Sequence, residues 1–86
     1  MIINITQTNS SMVKQIVFTK DELSDKAGLL VAVFPNDIAY AYRDVSVEDF
    51  AKIVTELNSV GEAFNKNIKN KYSNYKNIGK FSIERY

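Results

Sequence analysis

The stretch Leu29 to Arg43 constrains the fold most. Leu29 to Phe34 is a continuous apolar run, short enough to be a strand rather than a helix. Pro35-Asn36-Asp37 supplies turn chemistry, and Ile38 to Arg43 follows as a second strand. The two arms predict an antiparallel β-hairpin. In the second arm Ile38, Tyr40 and Tyr42 share one face while Ala39, Ala41 and Arg43 take the other, because side chains alternate along a strand. A hairpin is not stable alone in water, so the rest of the chain must cover it. With 86 residues there is material for one small domain. Surface scaling predicts that about 63% of the extended-chain area is buried, enough for one layer of helix on one small sheet. Small domains without staples often oligomerise, so a homo-oligomer is among the expected partners.

Met12 to Phe18, with β-branched Val13, Ile16 and Val17, is a further strand. Thr19 to Lys26 is polar and charged and reads as a connection. Two helices are expected after the hairpin. Ser46 caps the first, followed by Val47-Glu48-Asp49, and Val47, Phe50, Ala51, Val54 and Leu57 repeat at helical spacing. Ser59-Val60-Gly61-Glu62 fits a capping box for the second, along which Val60, Phe64, Ile68 and Tyr72 stack on one side. Ile2 to Thr6 and Lys80 to Arg85 are candidate terminal strands. The expected fold class is α+β: a small antiparallel β-meander of about three strands followed by two α-helices packed on one face, all in a single domain spanning 1–86.

Composition excludes whole classes of chemistry. The chain has no Cys and no His. There is no disulfide framework, no thiol nucleophile, no Cys-ligated zinc or iron–sulfur cluster, and no imidazole base or Ser-His-Asp triad. Asp21, Glu22 and Asp25 lie in a loop without the spacing of a calcium-binding EF-hand. Glu48, Asp49 and Glu56 have ordinary helix-surface readings. The expectation is no enzyme, no cofactor and no metal. Met1 to Asn9 lack the basic and apolar regions of a signal peptide, and no stretch approaches the roughly 18 apolar residues of a membrane span. With the missing Cys, this predicts a cytoplasmic protein without membrane contact.

Three features carry functional meaning, each beside a plainer alternative. Tyr40 and Tyr42 either form a stacking platform for bases or pack under the helices with their hydroxyls at the edge. From Ala63 to Lys80 there are five lysines (Lys66, Lys69, Lys71, Lys76 and Lys80) and no acid, interleaved with Asn65, Asn67, Asn70, Asn74, Tyr72 and Tyr75. That run is either a phosphate-attracting face or a solvated helix surface, and the net charge of +1 weighs against strong non-specific nucleic-acid binding. Ser59, Gly61 and Asn65 mark the start of the second helix, where free N–H groups hold an anion, or where Ser59 caps and Gly61 fits against the sheet.

These residues together resemble the KTSC domain, a short module at the C-terminus of some lysyl-tRNA synthetases that also occurs as stand-alone small bacterial and phage proteins. The resemblance rests on Tyr40-Ala41-Tyr42, on Val45-Ser46 with Ser where the family usually has Pro, and on Ser10-Ser11 before the first strand. It continues through Ser59, Gly61, Phe64, Asn65, Ile68 and Tyr72, and covers roughly 9–72. Attachment to a synthetase implies RNA binding for the family. The expected function is a non-enzymatic binding module for RNA or another phosphate-bearing nucleotide ligand. The alternative is a small phage or mobile-element protein that neutralises a host defence factor, either by binding a host protein or by sequestering a nucleotide signal. The candidate ligand-binding residues are Tyr40, Tyr42, Arg43, Ser59, Gly61, Asn65, Lys66, Lys69 and Tyr72. Lysines and Arg43 would pair phosphates, tyrosines would stack bases, and the helix start would hold an anion.

Overall fold

A computed structural model describes residues 2–8, 13–55, 60–73 and 75–80. Five strands form one antiparallel sheet in the order β1-β2-β3-β4-β5. They are β1 (Ile2–Gln7), β2 (Gln15–Lys20), β3 (Ala27–Val33), β4 (Ile38–Ser46) and β5 (Tyr75–Lys80). Between β4 and β5 the chain leaves the sheet through α1 (Val47–Thr55), α2 (Val60–Phe64) and a π-helical turn over Asn65–Lys69. The architecture is mostly β. This corrects the expected three-strand meander with two packed helices: the described residues hold five strands and only short helical pieces.

The added strands have physical reasons. β1 is the edge strand expected from Ile2 to Thr6, and it pairs along its whole length with β2, from Ile2 opposite Lys20 to Gln7 opposite Gln15. β5 was hidden. Its residues Tyr75-Lys76-Asn77-Ile78-Gly79-Lys80 are nearly all exposed, so it lacks the apolar alternation that marks a half-buried strand. It pairs with β4 from Ile38 opposite Lys80 to Tyr42 opposite Tyr75. Of the strand expected over Lys80 to Arg85, only Lys80 lies within the described residues, and there it ends β5. The first expected strand shifts to Gln15–Lys20, and β4 runs on to Ser46.

The β3–β4 turn follows from its sequence. Asp37 N–H donates to the Phe34 carbonyl at 2.8 Å, and Phe34 N–H donates to the Ile38 carbonyl at 2.9 Å. Pro35 suits the second position of such a turn, and Asp37 takes the left-handed conformation at φ 66°. The Asn36 side chain accepts from Ile38 N–H at 3.0 Å. Lys14 Nζ lies 2.6 Å from Asp37 Oδ1, and that hydrogen bond and charge hold the Asp37 carboxyl below its ordinary range.

A bulge in β4 shapes the core. Gly28 faces Val45 and Leu30 faces Tyr42, so Leu29 opposes both Arg43 and Asp44. Asp44 carries the strain at φ 55°. The extra residue turns Tyr42 and Val45 inward together while Arg43 and Asp44 stay exposed. On this inward face Val13, Ile16, Phe18, Leu30, Ala32, Tyr42 and Val45 pack against Phe50, Ile53, Ala63, Phe64 and Ile68 from the helical segment. Phe18 and Phe50 stack with ring centroids 4.4 Å apart. The opposite face holds a smaller cluster of Val17, Val31, Val33 and Ala39, with Ala41 packed against it. Register puts Ile3 and Ile5 on that second face, opposite Thr19 and Val17.

Candidate functional site

The segment after β4 builds the site. Ser46 caps α1: its Oγ accepts from Asp49 N–H at 3.1 Å. The Asp49 side chain is buried, and Tyr72 Oη donates to its Oδ2 at 2.7 Å while Lys71 Nζ donates to the same oxygen at 2.8 Å. Tyr72 Oη in turn accepts from Ser46 N–H at 3.0 Å. These bonds tie the far end of the helical segment to the start of α1. Burial pushes the Asp49 carboxyl up, but hydrogen bonds from Lys71 and Tyr72, with the Lys71 charge and Ser46, outweigh it and leave it below its ordinary range. Asp49 raises the Lys71 ammonium in return.

The π turn sets what faces the cleft. Asn70 N–H reaches back to the Asn65 carbonyl at 3.0 Å, a widened turn in a stretch where asparagines are poor helix formers. The Asn67 side-chain amide donates to the Ala63 carbonyl at 3.0 Å, one turn back. Phe64 and Ile68 bury against the sheet, and Lys69 and Asn70 come out over its β4–β5 side.

There a cleft of about 380 Å³ is lined by Phe34, Tyr40, Tyr42, Lys69, Asn70 and Tyr75. Its four lining rings join the core residue Phe64 in a closed aromatic circuit. Tyr40 meets Phe34 edge-on at 5.4 Å, Phe34 meets Phe64 at 5.9 Å, and Phe64 meets Tyr42 at 5.7 Å. Tyr42 meets Tyr75 at 5.5 Å and Tyr75 meets Tyr40 at 5.6 Å. Each of these distances lies within the range of favourable aromatic pairs. Tyr42 is 3% exposed and forms the floor, whereas Tyr75 is 55% exposed and forms the rim. Burial, with Tyr75 and Tyr40 beside it, pushes the Tyr42 phenol up, so it stays neutral at ordinary pH. The cleft therefore offers a neutral aromatic surface next to one ammonium and one carboxamide.

Of the residues singled out from sequence, Tyr40, Tyr42 and Lys69 come together in this cleft. Arg43 does not. Strand alternation puts it on the other face with Ala41, beside Leu29, Asp44 and Lys76. Lys66 lines a separate outer hollow with Lys52, Glu62 and Asn67. Tyr72 is committed to Asp49 and Ser46. Gly61 is buried in α2, a helix of five residues, and the half-buried Asn65 supplies the carbonyl of the π turn. Ser59, and with it the Ser59–Glu62 capping box, lies outside the described residues, as does the Ser10-Ser11 pair. The five lysines form no single basic face, because Ala63 to Lys80 is not one helix. Lys71 pairs with Asp49, Lys69 overlooks the cleft, Lys76 lies on the opposite face, and Lys80 ends β5.

Sequence reasoning missed Phe34, Asn70 and Tyr75 as cleft residues, and missed the burial of Asp49. These cleft residues carry no local signal, since they meet through the β3–β4 hairpin, the π turn and the β4–β5 pairing together. Asp49 had one: Ser46-x-x-Asp49 is itself a capping pattern, which places an acid at a helix entry rather than on its outer surface. Among the described residues no group of His, Cys, Asp and Glu is placed to hold a metal ion, and no helix is long and apolar enough to cross a membrane. No family model, no curated protein and no solved structure matches the chain.

Proposed function

We propose that the protein is a non-enzymatic binding module for a phosphate-bearing nucleotide, free or within RNA, held in the aromatic cleft. The observation that carries this reading is the convergence of Tyr40, Tyr42 and Tyr75 with Lys69 and Asn70 around one opening. A nucleobase needs a π-face to stack on and a hydrogen-bonding group at its edge, and a phosphate needs a cation nearby. Tyr75 at the exposed rim supplies the stacking ring, Asn70 the edge contact and Lys69 the cation. The resemblance to KTSC domains points the same way, although several of the residues that carry it have structural work here: Phe64 and Ile68 lie in the core and Tyr72 closes on Asp49.

The test begins with the purified protein, heat-denatured and cleared, its supernatant examined by mass spectrometry for nucleotides. Calorimetric titration with the four ribonucleoside monophosphates and a short single-stranded RNA follows. Loss of one stacked base is worth about 1–3 kcal/mol, so Tyr75→Ala should weaken binding by roughly 5- to 150-fold. Lys69→Ala should weaken it and flatten its salt dependence, while Lys66→Ala, on the outer hollow, should change neither. Binding that ignores both Tyr75→Ala and Lys69→Ala, or no binding of any of these probes, refutes the cleft as a nucleotide site.

A further inference from the structure

The two edges of the sheet are built differently. β5 carries Lys76 and Lys80, and its ladder slips at Ala39/Tyr40, where Gly79 takes φ +77°. Charged residues and a bulge are the devices that stop a further strand from adding to an edge. β1 has none of them. It reads Ile-Ile-Asn-Ile-Thr-Gln, with no charge, no Pro and no Gly, in unbroken register with β2. The Thr8 N–H donates to the Lys14 carbonyl, and the Thr19 carbonyl turns to the β3 side, 2.4 Å from where a Gly28 Cβ would stand, so Gln15, Val17 and Thr19 direct their backbone groups to β3 and Ile16, Phe18 and Lys20 direct theirs to β1. Antiparallel pairs alternate, so Ile2, Asn4 and Thr6 turn their backbone groups to β2 while Ile3, Ile5 and Gln7 turn theirs to the edge, which pairs with no other strand among the described residues. Ile3 and Ile5 are also 56% and 46% exposed on the helix-free face.

We propose that β1 pairs antiparallel with β1 of a second copy of this chain about a two-fold axis, joining the two sheets into one. The charge pattern selects this occupant. An uncharged strand is compatible with itself, whereas β5 against β5 would set lysines against lysines. A head-to-tail join of β1 to β5 would have to pass the Gly79 bulge, and repetition of it would build an open filament. The β1–β1 join closes on itself and brings Ile3 and Ile5 of both copies together on one face. One strand pair is small beside the ~1,200 Å² or more of a stable interface, so the dimer dissociates on dilution. The pairing is independent of the nucleotide reading, since β1 contributes nothing to the cleft.

Sedimentation of the full chain over a wide concentration range tests it. The wild type should move from its 9.8 kDa monomer mass toward twice that value. Ile5→Pro removes an outward N–H without touching the β2 ladder, and Ile5→Lys puts a charge on the edge. Both should stay monomeric at every concentration with an unchanged circular dichroism spectrum, while Lys76→Ala should dimerise as the wild type does. A wild type that is monomeric throughout, a dimer that survives both Ile5 variants, a mass that climbs past the dimer, or a Lys76→Ala protein that loses the dimer would each overturn the proposal.

Discussion

Removing a single oxygen from Tyr72 should cost this domain a substantial part of its stability. The Tyr72 hydroxyl donates to the buried Asp49 carboxylate at 2.7 Å and accepts from Ser46 N–H at 3.0 Å. A hydrogen bond to a charged group contributes about 1.5–3 kcal/mol and a neutral one about 0.5–1.5 kcal/mol. Tyr72 is half-buried and Asp49 keeps its bond from Lys71, so the lower halves of these ranges apply, and Tyr72→Phe should lose about 2–3 kcal/mol. A domain of this length has about 4–13 kcal/mol in all. At roughly 4–8 °C per kcal/mol, the melting temperature should fall by about 10–20 °C. The ring itself stays packed against the core cluster, so the loss isolates the hydroxyl. Thermal and urea unfolding of Tyr72→Phe, Asp49→Asn and the double variant provide the assay. The two changes should be strongly non-additive, because one removes the donor of this bond and the other the charge of its acceptor. A melting temperature within about 3 °C of wild type, or effects that add within about 0.3 kcal/mol, would refute the tie between the helical segment and α1.

The same carboxylate sets an acid limit. Asp49 titrates below its ordinary 3.8 in the folded protein, so its contribution is full above that value and is lost as pH falls through the lowered folded value. Urea midpoints followed from about pH 6 to pH 3 should therefore drop more steeply for wild type than for Asp49→Asn, and parallel curves would contradict the assignment. Gly28→Ala should destabilise by about 1–3 kcal/mol, since its Cβ would sit 2.4 Å from the Thr19 carbonyl oxygen, a backbone atom that cannot step aside. An alanine variant as resistant to urea as wild type would show that β2 and β3 can part at that point.

What was legible in the sequence was local. The Phe34 to Ile38 turn is specified by Pro35, Asn36 and Asp37, and it formed where those residues stand. The alternation of β4 was readable too, with Tyr40 and Tyr42 toward the helices and Ala39 and Ala41 away from them. It holds through Arg43, which lies with Ala41 on the face away from the helices, and breaks just beyond, where a bulge over Arg43 and Asp44 returns Val45 to the Tyr42 face and leaves no mark in one strand's own sequence. The fold class was misjudged for a related reason. β5 earns its place through backbone pairing with β4, not through side chains that must be hidden, so hydrophobic period carries no trace of it. Reading Val60 to Tyr72 as one helix then gave the lysines a common face. The π turn and the return into β5 distribute them to several.

The order of the strands also sets an order of events. β1, β2, β3 and β4 are each joined to the next by a short connection, so their pairings close small loops and form readily. β5 must wait for everything from Val47 onward to fold back across the sheet before it can find β4. Closing that long loop carries the largest entropic cost, and the strand it delivers is mostly exposed and contributes little burial. Native-state hydrogen exchange should find the β4–β5 seam opening more readily than the β2–β3 ladder. Tyr75 belongs to that seam, so one wall of the cleft is the part of the molecule that assembles last and lets go first.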